Sequence, residues 1–294
     1  MAIFADAMSK IRAYFVTLVV VAALCSCDFA KNNRALVNEV GKALIEELDD
    51  KGSEAGVRDA FAGTAETDDK LVVQTSPEGM PEQILKRTGY VTSYNKTTLL
   101  PNWVAWHLTA ERTEGSAKRS DVDFAEDNEV PEPRATDWDY YNSGYDRGHM
   151  CPAADNKWSK KAMEESFFFT NMCPQNSNLN RGDWNEMEMA CRKWAKKYGG
   201  IYIVCGPILY KGKHKTIGKN KVVVPEAFFK VVLRTGDEPQ AIGFIYKNTS
   251  GNRPKDSYVN TVDEVERITG IDFFPSLPDD VENKVEATAD IANW

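Results

Sequence analysis

Residues 145–192 read YDRGHMCPAADNKWSKKAMEESFFFTNMCPQNSNLNRGDWNEMEMACR, and the succession of patterns inside them decides the fold. Ser166 to Met172, SFFFTNM, has the density of a compact apolar strand. Pro174 to Asp183 is a loop crowded with Asn and Gln, and Trp184 to Tyr198 reads as a helix. Upstream, GYVTSYN and NWVAWHLT are rich in β-branched and aromatic residues and flank the turn-prone KTTLLP, which predicts a hairpin. Ser116 to Tyr145 is charged, contains proline and has no sustained period, so it is expected to be a long surface excursion of the kind that often carries function. Downstream, GIYIVCGPILY, KVVVPEAFFKVVLR and AIGFIYKN read as buried strands. Val262 to Thr269 reads as a short helix, and an acidic tail follows Pro275. No internal repeat is present.

The chain holds three histidines, His107, His149 and His214, and His149 has the setting that points to chemistry. Asp146, Arg147 and Gly148 precede it, so a carboxylate and a guanidinium lie beside an imidazole, the side chain whose ordinary pKa lets it take a proton near neutral pH. Asn171, Gln175, Asn176, Asn178 and Asn180 crowd the next loop, and Glu188 and Arg192 stand four apart on one helix face. Amide oxygens ligate hard cations, Glu holds metal-bound water and Arg pairs with phosphate oxygens, so the set points to Mg²⁺-assisted phosphoryl chemistry. The competing reading is a structural histidine, an Asn cluster serving turns and caps, and an ordinary exposed ion pair.

The 145–192 string resembles the DNA/RNA non-specific endonucleases of the ββα-metal type, including the endonuclease G branch. The resemblance extends through GYVTSYN, PNWVAWHL and RSDVDFAEDNEVPEPRATDWDYYNSGYDRGH upstream, and through IYIVCGPIL, IGKNKVVVPEAFFKVVL and VERITGIDFFP downstream. It covers about residues 80–275 in the family's order. It implies an α+β fold, with a central antiparallel β-sheet, flanking helices and a ββα-metal catalytic motif. It also implies roles. His149 is expected to be the general base that activates water, Asn180 the direct ligand of Mg²⁺ (Mn²⁺ being the alternative), and Glu188 a holder of metal-bound water. Asn171 is expected to position His149 or its loop. Arg147, Arg119 and Arg192 are expected to contact phosphate or stabilise transition-state charge, Gln175 to support the metal loop and the substrate, and Asp146 to be structural. DNA and RNA are the implied substrates, cleaved to 5′-phosphate and 3′-hydroxyl ends, and a homodimer is an expected arrangement. Where many relatives have small residues, this chain has Cys151 and Cys173. If the two strands of the motif are adjacent, a Cys151–Cys173 disulfide is expected to staple the catalytic loop. Two other functions fit the same residues: nucleic-acid capture without turnover, and a phosphodiesterase acting on small substrates.

Of the 294 residues 42% are hydrophobic and 27% charged, as in a globular protein. The net charge of -8, from 36 basic and 44 acidic residues, makes the body repel a polyanion, so contact with nucleic acid must be local. Residues 1–27 read as a lipoprotein-type signal: Lys10 and Arg12 precede an apolar run from Ala13 to Leu24 that ends in Leu24-Cys25-Ser26-Cys27. Cys27 is the favoured lipidation site, with Cys25 second, which predicts an exported, membrane-anchored protein of the cell envelope. Residues 28–75 are expected to be a membrane-proximal helix, striped by Leu36, Val40, Leu44 and Leu48, and a linker. Residues 76–276 are expected to form the endonuclease domain and 277–294 a C-terminal tail. Cys151, Cys173, Cys191 and Cys205 remain beyond the signal. Taken alone they leave three pairings open, and no spacing among them fits zinc.

Overall fold

Strand side chains alternate between the two faces of a sheet, and here both faces are apolar. In β3 (Leu100–Leu108), Val104, Trp106 and Leu108 enter one core while Trp103 and Ala105 enter another. In β6 (Ile201–Ile208), Ile201, Ile203 and Cys205 join the first core, and Tyr202 and Val204 the second. Such strands need cover on both sides. The computed structural model describes residues 70–294 except Asp237. It places β3 and β6 centrally in a seven-stranded antiparallel sheet. The other strands are β1 (Gln83–Lys86), β2 (Val91–Asn95), β9 (Ala227–Arg234), β10 (Gln240–Lys247) and β11 (Val259–Asn260), in the order β1-β2-β3-β6-β9-β10-β11. The expected β2–β3 hairpin is present, with a bulge between Ser93 and Tyr94. KVVVPEAFFKVVLR is two strands rather than one: β8 (Val222–Val223), paired with β7 (Thr216–Ile217), ends before Pro225, which has no N–H to continue a ladder.

The first face is covered by a ββα unit. β4 (Asp146–His149) pairs antiparallel with β5 (Met172–Gln175), with Gly148 opposite Cys173 and His149 opposite Met172. The strand expected over Ser166 to Met172 starts later. Ser166 lies at the end of α1 (Lys160–Glu165), Phe169–Asn171 form a tight turn, and the strand occupies the residues expected to open the amide loop. The aromatic run is apolar because Phe167 and Phe169 fill core space at a bend. α2 (Asn185–Tyr198) buries Met187, Ala190, Cys191, Trp194 and Ala195, spaced as one helical stripe, and stops at Gly199 with φ 81°.

The second face is covered by the chain ends of the described region. Leu71 and Val72 are already in that core, so the body begins before residue 76. α3 (Val262–Thr269) contributes Val262 and Val265, and α4 (Asp279–Glu286) contributes Val285. The residues read as a separate tail therefore pack on the body, and Trp294 reaches the first core, 5.0 Å from the Trp194 ring. Among the described residues, no helix is long and apolar enough to cross a membrane. The membrane-proximal helix and Cys27 lie outside the described residues.

α3 approaches β10 closely because position 243 is glycine. A Cβ there would lie 2.7 Å from Val265 Cγ2 and 3.1 Å from the Asn260 and Thr261 carbonyl oxygens. Gly243→Ala is expected to lower stability by about 1–3 kcal/mol through overpacking, read as a lower denaturant midpoint at unchanged slope. An unchanged midpoint would show that α3 is not seated this tightly.

Candidate active site

β4 carries Asp146, Arg147 and His149, and the bend that follows is fixed by one amide. Asn171 is fully buried; its Oδ1 accepts from the Cys151 N–H at 2.9 Å, and its Nδ2 donates to the carbonyls of Cys151 (2.9 Å) and Ser166 (2.8 Å). The Trp184 indole donates to the His149 carbonyl at 3.2 Å, tying the start of the motif helix to β4. His149 is 6% exposed, and its ring lies 4.9 Å from Phe167 in a T-shaped contact and 5.7 Å from Phe124. Its Nε2 is sealed from solvent without a hydrogen-bond partner. Burial, with the Arg119 charge in addition, pulls its pKa down to about 3, so the imidazole is neutral throughout the neutral range.

These residues border a cleft of about 490 Å³. Of the residues singled out in the sequence, His149, Arg147, Arg119, Asn180, Glu188 and Arg192 line it together, with Asp146 beside them. Arg147 is held by Asp137 at 2.5 Å and lies over the Phe124 ring at 5.2 Å, while Arg119 lies over Phe167 at 5.5 Å. Asn180 begins a widened helical turn, Asn180–Trp184, kinked at Gly182. Its Nδ2 donates to Asp146 at 3.1 Å, which leaves the amide oxygen as the atom available to a cation. Asp146 also accepts from Ser177 at 2.7 Å and from Arg181, and these bonds hold its carboxyl below the usual range against the opposing effect of burial. A neutral oxygen donor beside the half-buried Glu188 carboxylate fits a hard divalent cation that keeps part of its water.

Gln175 and Asn171 do not line the cleft. Gln175 is fully buried against Gly148, where a Cβ would come within 2.3 Å of its Oε1, so the glycine of DRGH makes room for it. This corrects the expected substrate contact of Gln175: the β4–β5 register packs its side chain behind the cleft. Arg192 reaches the cleft but is tied to the buried Asp155 at 2.9 Å, which also accepts from the Trp106 indole at 3.1 Å.

Three contributors escaped the sequence reading: Asp155, Arg181 and Lys230. Lys230 is fully buried on β9, with its Nζ 4.2 Å from the Trp184 ring centroid and without a hydrogen-bond partner. Burial works against its charge. The Cys205 and Cys191 thiols and the Glu188 and Asp155 carboxylates raise its pKa beyond that effect, and at neutral pH the carboxylates dominate because burial keeps both thiols protonated, at about 12. Burial lifts the Glu188 carboxyl to about 7, against the pull of Lys230. The legible signal was a lysine interrupting AFFKVVLR, where alternation predicts an apolar residue facing the site.

All four described cysteines are free and buried. The expected Cys151–Cys173 bond is corrected by the register: Cys173 lies opposite Gly148, whereas Cys151 lies past the end of β4, its Sγ accepting from Asn156 Nδ2 at 3.4 Å.

A sequence profile described as DNA/RNA non-specific endonuclease matches residues 68–280. The chain belongs to that family. It is similar to the mitochondrial nuclease EXOG of Danio rerio, 38% identical over 218 residues, covering 68% of this chain and 64% of the relative. It is also similar to the mitochondrial endonuclease G of Homo sapiens, 34% identical over 215 residues, covering 68% and 72%. The chain thus spans a little under two thirds of the EXOG relative's length. A solved structure of EndoG with EndoGI superposes with a TM-score of 0.64 at 31% identity, covering 67% of this chain and 87% of that one. The relatives' names correct the expected cell-envelope location, because they point to mitochondria instead of a bacterial membrane anchor. Positive charge followed by an apolar run is common to more than one type of targeting segment, which is why the N-terminus misled.

Two measurements test this endonuclease-family site. Lys230→Met is expected to destabilise the protein by about 3 kcal/mol at pH 8, because it removes the buried positive charge that faces Glu188 and Asp155. The loss should be clearly smaller at pH 5.5, where Glu188 takes up its proton; equal losses at both pH values would exclude the charge interaction. Alkylation of unfolded protein without reductant is expected to label Cys151, Cys173, Cys191 and Cys205, and recovery of a linked Cys151–Cys173 peptide pair would overturn the free-thiol arrangement.

Proposed function

We propose that this protein is a Mg²⁺-dependent endonuclease that hydrolyses phosphodiester bonds in both DNA and RNA. The observation that carries the reading is a neutral, buried His149 in the same cleft as the Asn180 amide, the Glu188 carboxylate and the guanidiniums of Arg119, Arg147, Arg181 and Arg192. Family membership and the nuclease names of the relatives support it. Those relatives also support a mitochondrial setting.

Hydrolysis requires a proton acceptor for the attacking water and relief of negative charge on the phosphorus centre. His149 serves as the acceptor through Nδ1, the ring nitrogen left to the cleft once Nε2 is sealed. Its neutral state at pH 7 means that no proton must first be removed. The Asn171 clamp and the Trp184 bond fix where the ring stands, so the base is oriented before substrate arrives. Arg147, locked between Asp137 and aromatic faces, and Arg119 supply positive charge to phosphate oxygens without reading bases, which accounts for activity on both sugars. Asp146 orients the Asn180 amide, whose oxygen would hold the metal, with the Glu188 carboxylate in the same cleft to support it. When bound, the metal supplies Lewis acidity to the phosphate and the leaving oxygen.

The test is degradation of supercoiled plasmid and of RNA by full-length protein in Mg²⁺ or EDTA. Both polymers should be cleaved only with metal. His149→Ala should lose roughly 10²–10⁴-fold in rate while still binding DNA. Asn180→Ala should raise the Mg²⁺ concentration needed for half-maximal rate. DNA binding by folded wild-type protein without cleavage in any divalent metal would replace this reading with nucleic-acid capture, and turnover of small phosphodiesters alone would replace the substrate.

A further inference from the structure

Across the sheet from the cleft, α3 and α4 bring carboxylates together. Asp263 and Glu266 are three apart on α3, and Glu282 and Glu286 are four apart on α4, so each helix presents a pair on one face. Carboxylate oxygens of Asp263, Glu266 and Glu286 lie within 4.8 Å of one another. Asp272 and Glu282 add like charge to the same patch. The residues are graded in depth: Asp263 is exposed, Glu266 half-buried and Glu286 only 6% exposed. Glu286 Oε1 is sealed from solvent without a hydrogen-bond partner, and so is Glu282 Oε1. Glu266 receives one bond, from the Phe273 N–H at 2.8 Å. Among the described residues, no basic side chain pairs with any of these five carboxylates; Arg267, which is nearby in sequence, is taken by Glu264.

We propose that Asp263, Glu266 and Glu286, with Glu282 beside them, form a second divalent-cation site, of calcium class, separate from the nuclease centre. A buried, partnerless carboxylate oxygen among like charges needs a counter-charge, and the apolar residues beneath do not let the helices part: Val262, Val265 and Val285 seat α3 and α4 in the second core. The donor set is all carboxylate oxygen, which selects a hard cation over zinc or copper. Several carboxylates on two helices, open to water at Asp263, match the six to eight oxygens that calcium gathers better than the few protein ligands that magnesium takes. The ion would bridge α3 to α4 and so clamp the C-terminal helix to the sheet; its role is structural.

Full-length protein freed of metal by chelation and exchange, at pH 7.5, provides the test. Millimolar CaCl₂ should raise the melting temperature of the wild type by roughly 5 °C. Glu286→Gln should lose that increment, while Asn180→Ala, altered only at the catalytic centre, should keep it. Asp263→Asn changes an exposed side chain without altering its size, and should weaken the calcium midpoint at least several-fold. Isothermal titration should count one calcium fewer for Glu286→Gln than for wild type, and plasmid cleavage in Mg²⁺ should be unchanged in that variant. The proposal is overturned if Glu286→Gln and Asp263→Asn keep the full calcium increment. It is equally overturned if Glu286→Gln melts higher than wild type by the same margin with and without calcium, since the cluster is then held by protons alone.

Discussion

The site depends on keeping one imidazole dry while leaving an edge of it available. Burying a ring nitrogen without a partner is unfavourable, so the position of His149 must be fixed by everything around it. Three independent elements do this: the β4–β5 ladder sets the strand, Asn171 pins the bend after it through both amide atoms, and Trp184 reaches back to the histidine's own carbonyl. The kinked turn that carries Asn180 is anchored in the same way. Asp183 accepts from the Arg253 N–H and the Tyr258 hydroxyl, so the turn cannot drift from the sheet. A residue held by one contact could relax out of an unfavourable setting; one held by three elements cannot.

Charge is organised on the same principle. The protein is acidic as a whole, yet four arginines line the cleft, so the site itself attracts a polyanion that the body as a whole repels. Beneath the arginines runs a buried alternation of sign: Arg192 on Asp155, and Lys230 facing both Asp155 and Glu188. Each charge is tolerable only because the next is present, which makes Lys230 part of the site although it lies on a central strand. Arg192 is then best described as a bridge between this network and the cleft, since one of its nitrogens is already committed to Asp155.

The sequence disclosed what is local and repetitive. The β2–β3 hairpin, the stripe of α2, and α3 from Val262 to Thr269 follow from period and turn chemistry, and the cleft residues on β4, the Asn180 turn and α2 came from motifs, whereas Arg119, on the 116–145 excursion, came only from the family resemblance. What stayed hidden depends on register. Whether Cys151 meets Cys173, or Gln175 the cleft, is decided by which residue lies opposite Gly148, and no composition rule sets that pairing. SFFFTNM misled because apolar density marks burial and not backbone shape. The tail read as a segment apart because its acidic surface outweighs the few apolar residues, Val285 and Trp294 among them, that seat it.

The central sheet also separates two uses of metal-binding chemistry. In the cleft the available ligand is a neutral amide, so an ion held there keeps most of its charge and can attract an anionic phosphate. On the opposite face the ligands are carboxylates whose summed charge would neutralise or exceed that of a divalent ion, and an ion so enclosed has nothing left to offer a phosphate. A divalent cation therefore activates in one place and only fastens in the other, and the difference is set by whether Asn or Glu stands at the contact. It follows that moving a carboxylate into position 180 would bind metal more tightly and serve the reaction less well, because affinity for the ion and the ion's attraction for substrate draw on one charge.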